Sequence, residues 1–421
     1  MLLFSRSTLS LLSSIFSVGS PFLPTIHKAL LSSLIAALIE TCLNPDDDSP
    51  SPSSREEDSL FFLHPYPFQL FAAVIAFGLT FRANLAYARY WEGRGSLASM
   101  GSKFTDVAIQ TRMFSTNDPA KQTQVKALDE DITHLLSLMH ALCLQTLRGD
   151  ALYSAAPENI VRHEDNALPS LDCTNGDFWQ SFRPNYELEF LSRKFYSRAK
   201  LPVVGGLREN EIEELFKGQG LPYEGGWTVR GERRQSMQHK GGWTVSGRPT
   251  LQQRQNSGQV NAAVVDQERV VKVMETIGRL ITLSVRSKIL DAPAPIISRV
   301  FQVLSEGHER GFMFARKISS TPFPFPFAQS IELFVTFFSL SVGVIFASWL
   351  DGIVPVIFFS FVTSWCYLTL NEVCRMLEEP FGGDANDLPL AVLQHEFNMR
   401  IVRSRFADST VDQWEKKTAI E

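Results

Sequence analysis

Four carboxylates, Glu378, Glu379, Asp384 and Asp387, fall in the glycine-broken stretch 375–390, shortly after the uncharged apolar run Ile353–Leu370. Carboxylates in that place have three uses. They can accept hydrogen bonds from the first N–H groups of a helix, they can hold a cation, or they can frame a part that moves. Other residues able to do chemistry are poorly spaced for it. His308-Glu309 and His395-Glu396 each lack a second His four residues on, so neither offers a zinc pair on one helix face. His134 and His140 are six apart and share a helix face poorly. Gly218-Gln219-Gly220 lacks a third glycine, and no phosphate-binding loop or nucleophile elbow is present. The five cysteines, at 42, 143, 173, 366 and 374, form no CxxC pair and read as reduced, buried thiols. These spacings point away from an enzyme.

The elements that carry these residues are set by apolar patterning. Lys and Arg number 40 against 45 Asp and Glu, a net charge of -5 that makes no case for nucleic-acid binding. Phe is in excess at 32, and ten of these lie between Pro322 and Phe361. Apolar residues gather near the two ends, as in a membrane protein with a large polar insert. A bilayer core about 30 Å thick needs about 20 helical residues, and four stretches supply candidates. They are Phe22–Leu43, Tyr66–Tyr87, Phe325–Leu350 with Glu332 as its only charge, and Ile353–Leu370. Asp351-Gly352 separates the last two and makes them a helical hairpin.

The expected fold is all-α, a four-span subunit with a helical cytosolic domain. Residues 1–21 form an amphipathic or targeting segment and 22–96 hold spans one and two. Residues 97–320 form the cytosolic helical region with an insert at about 150–262, 321–372 hold spans three and four, and 373–421 are a C-terminal cytosolic segment. The link Asn44–Pro65 carries six acids and one base, whereas Arg82, Arg89, Arg94, Lys103 and Arg112 follow span two. The positive-inside rule therefore puts 88–320 and the C-terminus in the cytoplasm or its topological equivalent. At the N-terminus two readings stand: a cleaved signal or organelle presequence, or a Ser-rich amphipathic helix lying at the membrane. The chain is thus an integral, multi-pass membrane protein, of the plasma membrane or a plastid thylakoid.

Leu97–Leu147 and Val264–Ile318 have helical periodicity, the latter with a stripe of Val270, Val271, Met274, Ile277, Leu280, Ile281, Ser284 and Val285. Between them the insert is rich in Gly, Pro, Gln and charge and reads as a partly disordered loop. It holds two copies of Gly-Gly-Trp-Thr-Val, at 225–229 and 241–245, too few for a repeat fold.

Span two carries the most telling spacing. Ala73, Phe77 and Phe81 are four apart and stack on one helix face. That face is either lipid-facing surface or, because Ala72, Ala73, Ala76 and Gly78 permit close packing, one stave of a ring that projects Phe side chains toward a shared axis. In the second case Arg82 and Arg89 stand at the cytosolic mouth. Phe ring edges are electropositive and tolerate an anion better than a cation.

Three motifs resemble the bestrophin family and its bacterial and plastid relatives, more than its animal members. They are Phe81-Arg82-Ala83-Asn84-Leu85-Ala86-Tyr87-Ala88-Arg89-Tyr90-Trp91-Glu92-Gly93-Arg94, the Pro-rich Thr321–Gln329 ahead of span three, and the turn Glu379–Leu390. The resemblance covers the four spans and flanking helices but not 150–262. It implies a homopentameric barrel around a central pore that conducts chloride, with bicarbonate or nitrate as further permeants. It assigns Ala73, Phe77 and Phe81 to a hydrophobic neck, with Ala73 smaller than the usual residue and the upper neck correspondingly wider. Arg82, Asn84 and Arg89 become pore-mouth or packing residues. No cofactor is required; Asp384 and Asp387 match two calcium-ligand positions of animal members, while as residues they equally suit N-caps of the helix containing Leu390–Ile401. The partners implied are other copies of the chain, the bilayer and the anions. The competing reading is a non-conducting membrane scaffold that binds partners through 150–262.

Overall fold

The computed structural model describes residues 20–43, 66–148, 160–162, 200–217, 251–350, 352–382 and 386–404. These are mostly helical, and four helices are long and apolar enough to cross a membrane: α1 (Phe22–Leu43), α2 (Tyr66–Met113), α8 (Phe325–Trp349) and α9 (Ile353–Glu378). Between α2 and α8 lie α3 (Gln122–Arg148), the strands β1 (Ile160–Arg162) and β2 (Leu201–Val203), α4 (Glu209–Ile212), α5 (Leu251–Arg286), α6 (Ala294–Glu306) and α7 (Phe314–Ser320). The last helix among the described residues is α10 (Leu390–Arg403).

Two spans outrun their apolar stretches. α2 does not stop at Tyr87 but continues through Met113, although Gly93, Gly95 and Gly101 lie inside it. Each interior glycine costs about 1 kcal/mol against Ala, and packing outweighs that cost. α9 likewise continues past Leu370 to Glu378. The Pro-rich lead-in to α8 has a local reason: Pro324 stands at the N-cap, and Pro326 follows in the first turn, where no N–H partner is lost. Gly352, at φ 95°, turns the chain from α8 to α9 in a conformation that glycine adopts most readily.

The described residues divide into two compact units. The first holds residues up to Lys103 and Ser305–Leu390. Here α1 packs on α8 and α9. Small residues and hydroxyls make that contact. A Cβ on Gly343 would stand 2.9 Å from the Ala36 Cβ; Ser32 Oγ donates to Ser339 O at 2.5 Å and meets Ser364 Oγ at 2.9 Å. Such bonds cross between helices where lipid offers no competing partner. α2 buries Ile75 and Leu79 among Ile331, Val335 and Phe338.

The second unit holds Phe104–Ser170, Ala199–Leu304 and Ala391 onward. In it α3 packs on α5 and on β2. The buried stripe of α5 is Val270, Val273, Ile277, Ile281 and Ser284, whereas Val271 is 46% exposed. Sequence patterning took in Val271 because it is apolar; the helical register places Val273 inside instead. The all-α expectation holds, with one short strand pair added to it. β1 and β2 pair in parallel, Ile160 opposite Leu201. Asn398 Nδ2 donates to Pro202 O at 2.7 Å and satisfies a carbonyl of this short pair. Both Gly-Gly-Trp-Thr-Val copies lie outside the described residues.

Candidate functional site

Arg82 lies on the buried face of α2 and is 3% exposed. A guanidinium so placed must be paired, and three partners surround it. Its Nε donates to Glu378 Oε1 at 2.7 Å and its Nη1 to Asn371 Oδ1 at 2.7 Å. The Phe323 ring centre is 5.9 Å from its Cζ. Asn371 Nδ2 in turn donates to Glu332 Oε2 at 2.6 Å. One planar side chain of α2 is thus tied to α9 directly and to α8 through an amide.

Seven residues on, and so on the same helix face, Arg89 does different work. Its Nε donates to Glu378 O at 3.2 Å, and its Nη2 donates to Ile318 O at 3.1 Å and Thr321 O at 2.9 Å. These carbonyls lie at the ends of α9 and α7, where helices run out of internal donors. One turn further, a Cβ on Gly93 would stand 2.9 Å from Phe381 Cζ, so glycine leaves the room that this buried ring fills. Tyr90 Oη donates to Asn386 O at 3.3 Å. Arg82, Arg89 and Gly93 therefore draw together the three motifs, which stand far apart in the chain: 81–94, the Pro-rich 321–329 and the turn 379–390.

The opposite face of α2 is left open. Phe77 is 75% exposed, Phe81 49%, and Ala73 and Asn84 are exposed beside them. Leu70 and Val74 extend the same surface. The Phe81 ring sets its edge against Phe327 at 5.7 Å between centroids. The stripe Ala73, Phe77, Phe81 holds no charge.

In the turn, Leu388 N–H donates to Pro380 O at 2.9 Å. Asp387 is 5% exposed, and a Cβ on Gly382 would stand 2.6 Å from its Oδ2. α10 begins at Leu390, which leaves Pro389 at the cap position and Asp387 two residues upstream of it. Asp384 lies outside the described residues. Calcium takes six to eight oxygens. Among the described residues no group of three or more His, Cys, Asp or Glu is arranged to hold a metal ion.

A separate polar cluster occupies the second unit. His134 places Nδ1 2.7 Å from Val204 O and Nε2 2.7 Å from Glu211 Oε1. Burial alone raises the Glu211 carboxyl, but hydrogen bonds from His134 and the Arg208 N–H hold it below the usual range. His140 Nδ1 meets Gln394 Oε1, and burial pushes its imidazole down to about 4.

Sequence reasoning found the Phe stripe and both arginines but missed the partners Glu378, Asn371 and Phe323. One signal was available. Glu332 is the single charge in an apolar span, and an ionisable residue there calls for a partner.

A family model described as Bacterial/Fungal Bestrophin protein matches residues 3–189 and 235–402. The match reaches into both ends of the 150–262 insert, beyond where the three motifs extend. Among solved structures, a point variant of a bacterial bestrophin homologue from Klebsiella pneumoniae superposes with a TM-score of 0.56 at 15% identity, covering 90% of this chain and 98% of that one. A second structure of that homologue, solved by zinc phasing, gives 0.54 at 15% identity, with 90% and 97% covered. At this identity the likeness shows the fold. No curated protein matches the chain.

Proposed function

The chain belongs to the bestrophin family, and from that premise we propose that it is a passive anion channel, in which five copies surround a pore and the Ala73, Phe77, Phe81 face of α2 lines its neck. The observation that carries this reading is the asymmetry of α2. One face is locked inside by Arg82, Arg89 and Gly93, while the other offers an uncharged aromatic stripe to something outside the chain. Phe edges are electropositive, and a narrow apolar ring conducts only when wetted. Such a neck passes chloride, and bicarbonate or nitrate, at the cost of part of their hydration, and it disfavours cations. Ala73 widens the outer turn of the stripe. No cofactor is needed for this mechanism, and no step in it runs through calcium.

Purified protein in liposomes is expected to release chloride down its gradient, with or without a calcium chelator. Phe77→Ala is expected to raise flux and weaken discrimination among halides. Flux in Phe77→Ala indistinguishable from the unmodified chain would remove Phe77 from the neck.

A further inference from the structure

Phe81 and Arg82 are neighbours in sequence with opposite surroundings, one open and one enclosed. Consecutive helical residues are about 100° apart, so whatever fixes the direction of Arg82 fixes that of Phe81 and, one turn back, of Phe77. The apolar contacts of Ile75 and Leu79 are non-directional, and a modest roll of α2 keeps them in contact. The Arg82 bonds do not allow this. Nε and Nη1 leave the guanidinium in fixed directions within one plane. They end on two residues of α9, Glu378 and Asn371, and Asn371 is itself held by Glu332 of α8. A roll of about 30° would carry a ring standing ~5 Å from the helix axis sideways by ~3 Å, the scale of the difference between a ring that lines a narrow pore and one that does not.

We propose that Arg82 is a positioning residue for the neck. Held by Glu378 and, through Asn371, by Glu332, it sets the roll of α2 about its axis and so presents Phe77 and Phe81 to the conduction path. This rests on the anion-channel reading, and it gives the lone acid of span three a role at the outer end of the relay.

The test uses the full chain in phosphatidylcholine and phosphatidylglycerol vesicles, with Cys42, Cys173 and Cys366 replaced by Ser. Single nitroxides are placed through Val74→Cys, Phe77→Cys, Thr80→Cys and Phe81→Cys. Their accessibility to a water-soluble nickel complex and to oxygen gives the angular phase of the helix. Arg82→Gln is expected to shift that phase by a readable fraction of the 100° residue step and to change the chloride-to-iodide flux ratio. Arg82→Lys, which keeps the charge without the fork, is expected to shift it less, and Glu332→Gln least. An unchanged phase in both Arg82→Gln and Glu332→Gln would overturn the proposal. Should Arg82→Gln not assemble, Asn371→Leu and Glu332→Gln decide in its place, an unchanged phase again overturning it. Oxygen-dominated accessibility at 77 and 81, with no anion flux from the unmodified chain, would instead sink the pore reading. Arg82 would then merely orient a lipid-facing helix.

Discussion

At the scale of the residue, the arginines of one helix face divide their labour. Arg82 neutralises a buried carboxylate, while Arg89 saturates carbonyls that two helices leave behind. Arg89→Met is expected to lower stability by about 2–4 kcal/mol, because stranded, partly buried acceptors cost 1–3 kcal/mol each. Arg89→Lys should recover less than half of that, since a single ammonium cannot reach three carbonyls as a fork does. Thermal unfolding in detergent micelles reads both. Gly93 and Phe381 fit one another, so Gly93→Ala and Phe381→Leu should be non-additive. A double-mutant cycle is expected to show a coupling of about 0.5–3 kcal/mol, and simple additivity would separate the two motifs that this contact joins.

At the scale of the element, the spans were legible in the sequence because hydropathy over about 20 residues is a local property. The exposed Phe stripe was legible for a similar reason, since spacing by four fixes a helix face. What was not legible was pairing. Nothing near Arg82 in the chain announces Glu378, Asn371 or Phe323, and the full length of α2 was hidden by its glycines. The short β1–β2 pair was invisible because three residues carry no period. It is held by Asn398 from α10, while His134 and Ser137 from α3 fasten the turn that follows β2. This cluster should make the second unit sensitive to acid. His140 carries a folded-state value of about 4 against an ordinary 6.5, so between those values the unfolded chain binds the proton first. Stability should then be lost as pH falls through that window, by up to about 3 kcal/mol. Glu211 acts in the same direction: its depressed carboxyl contributes stability above the usual Glu range that is lost as pH falls through the lower folded value. Melting from pH 7 to pH 4 should show the decline, and His140→Gln should flatten it.

At the scale of the whole molecule, the insert is not one piece. Residues 201–217 belong to a folded unit, and α5 begins at Leu251. Removing 218–250 is expected to leave melting and chloride flux unchanged. Removing 205–262 should lower the melting point, because it takes Glu211 from His134. Normal flux together with normal localisation after removing 218–250 would dispose of a scaffold role for that stretch. The Arg82–Glu378 pair also has a consequence in time. Its members are 296 residues apart, and a ribosome moving at 5–20 residues per second needs about 15–60 s to cover that distance. For that interval α2 exists in the nascent chain with a cationic side chain whose carboxylate has not yet been made. Arg82 is then expected to stay at the edge of the bilayer, and the helix to take its final depth once span four is synthesised. Docking of span four is therefore the expected late step in assembly, completing a helix made much earlier in synthesis.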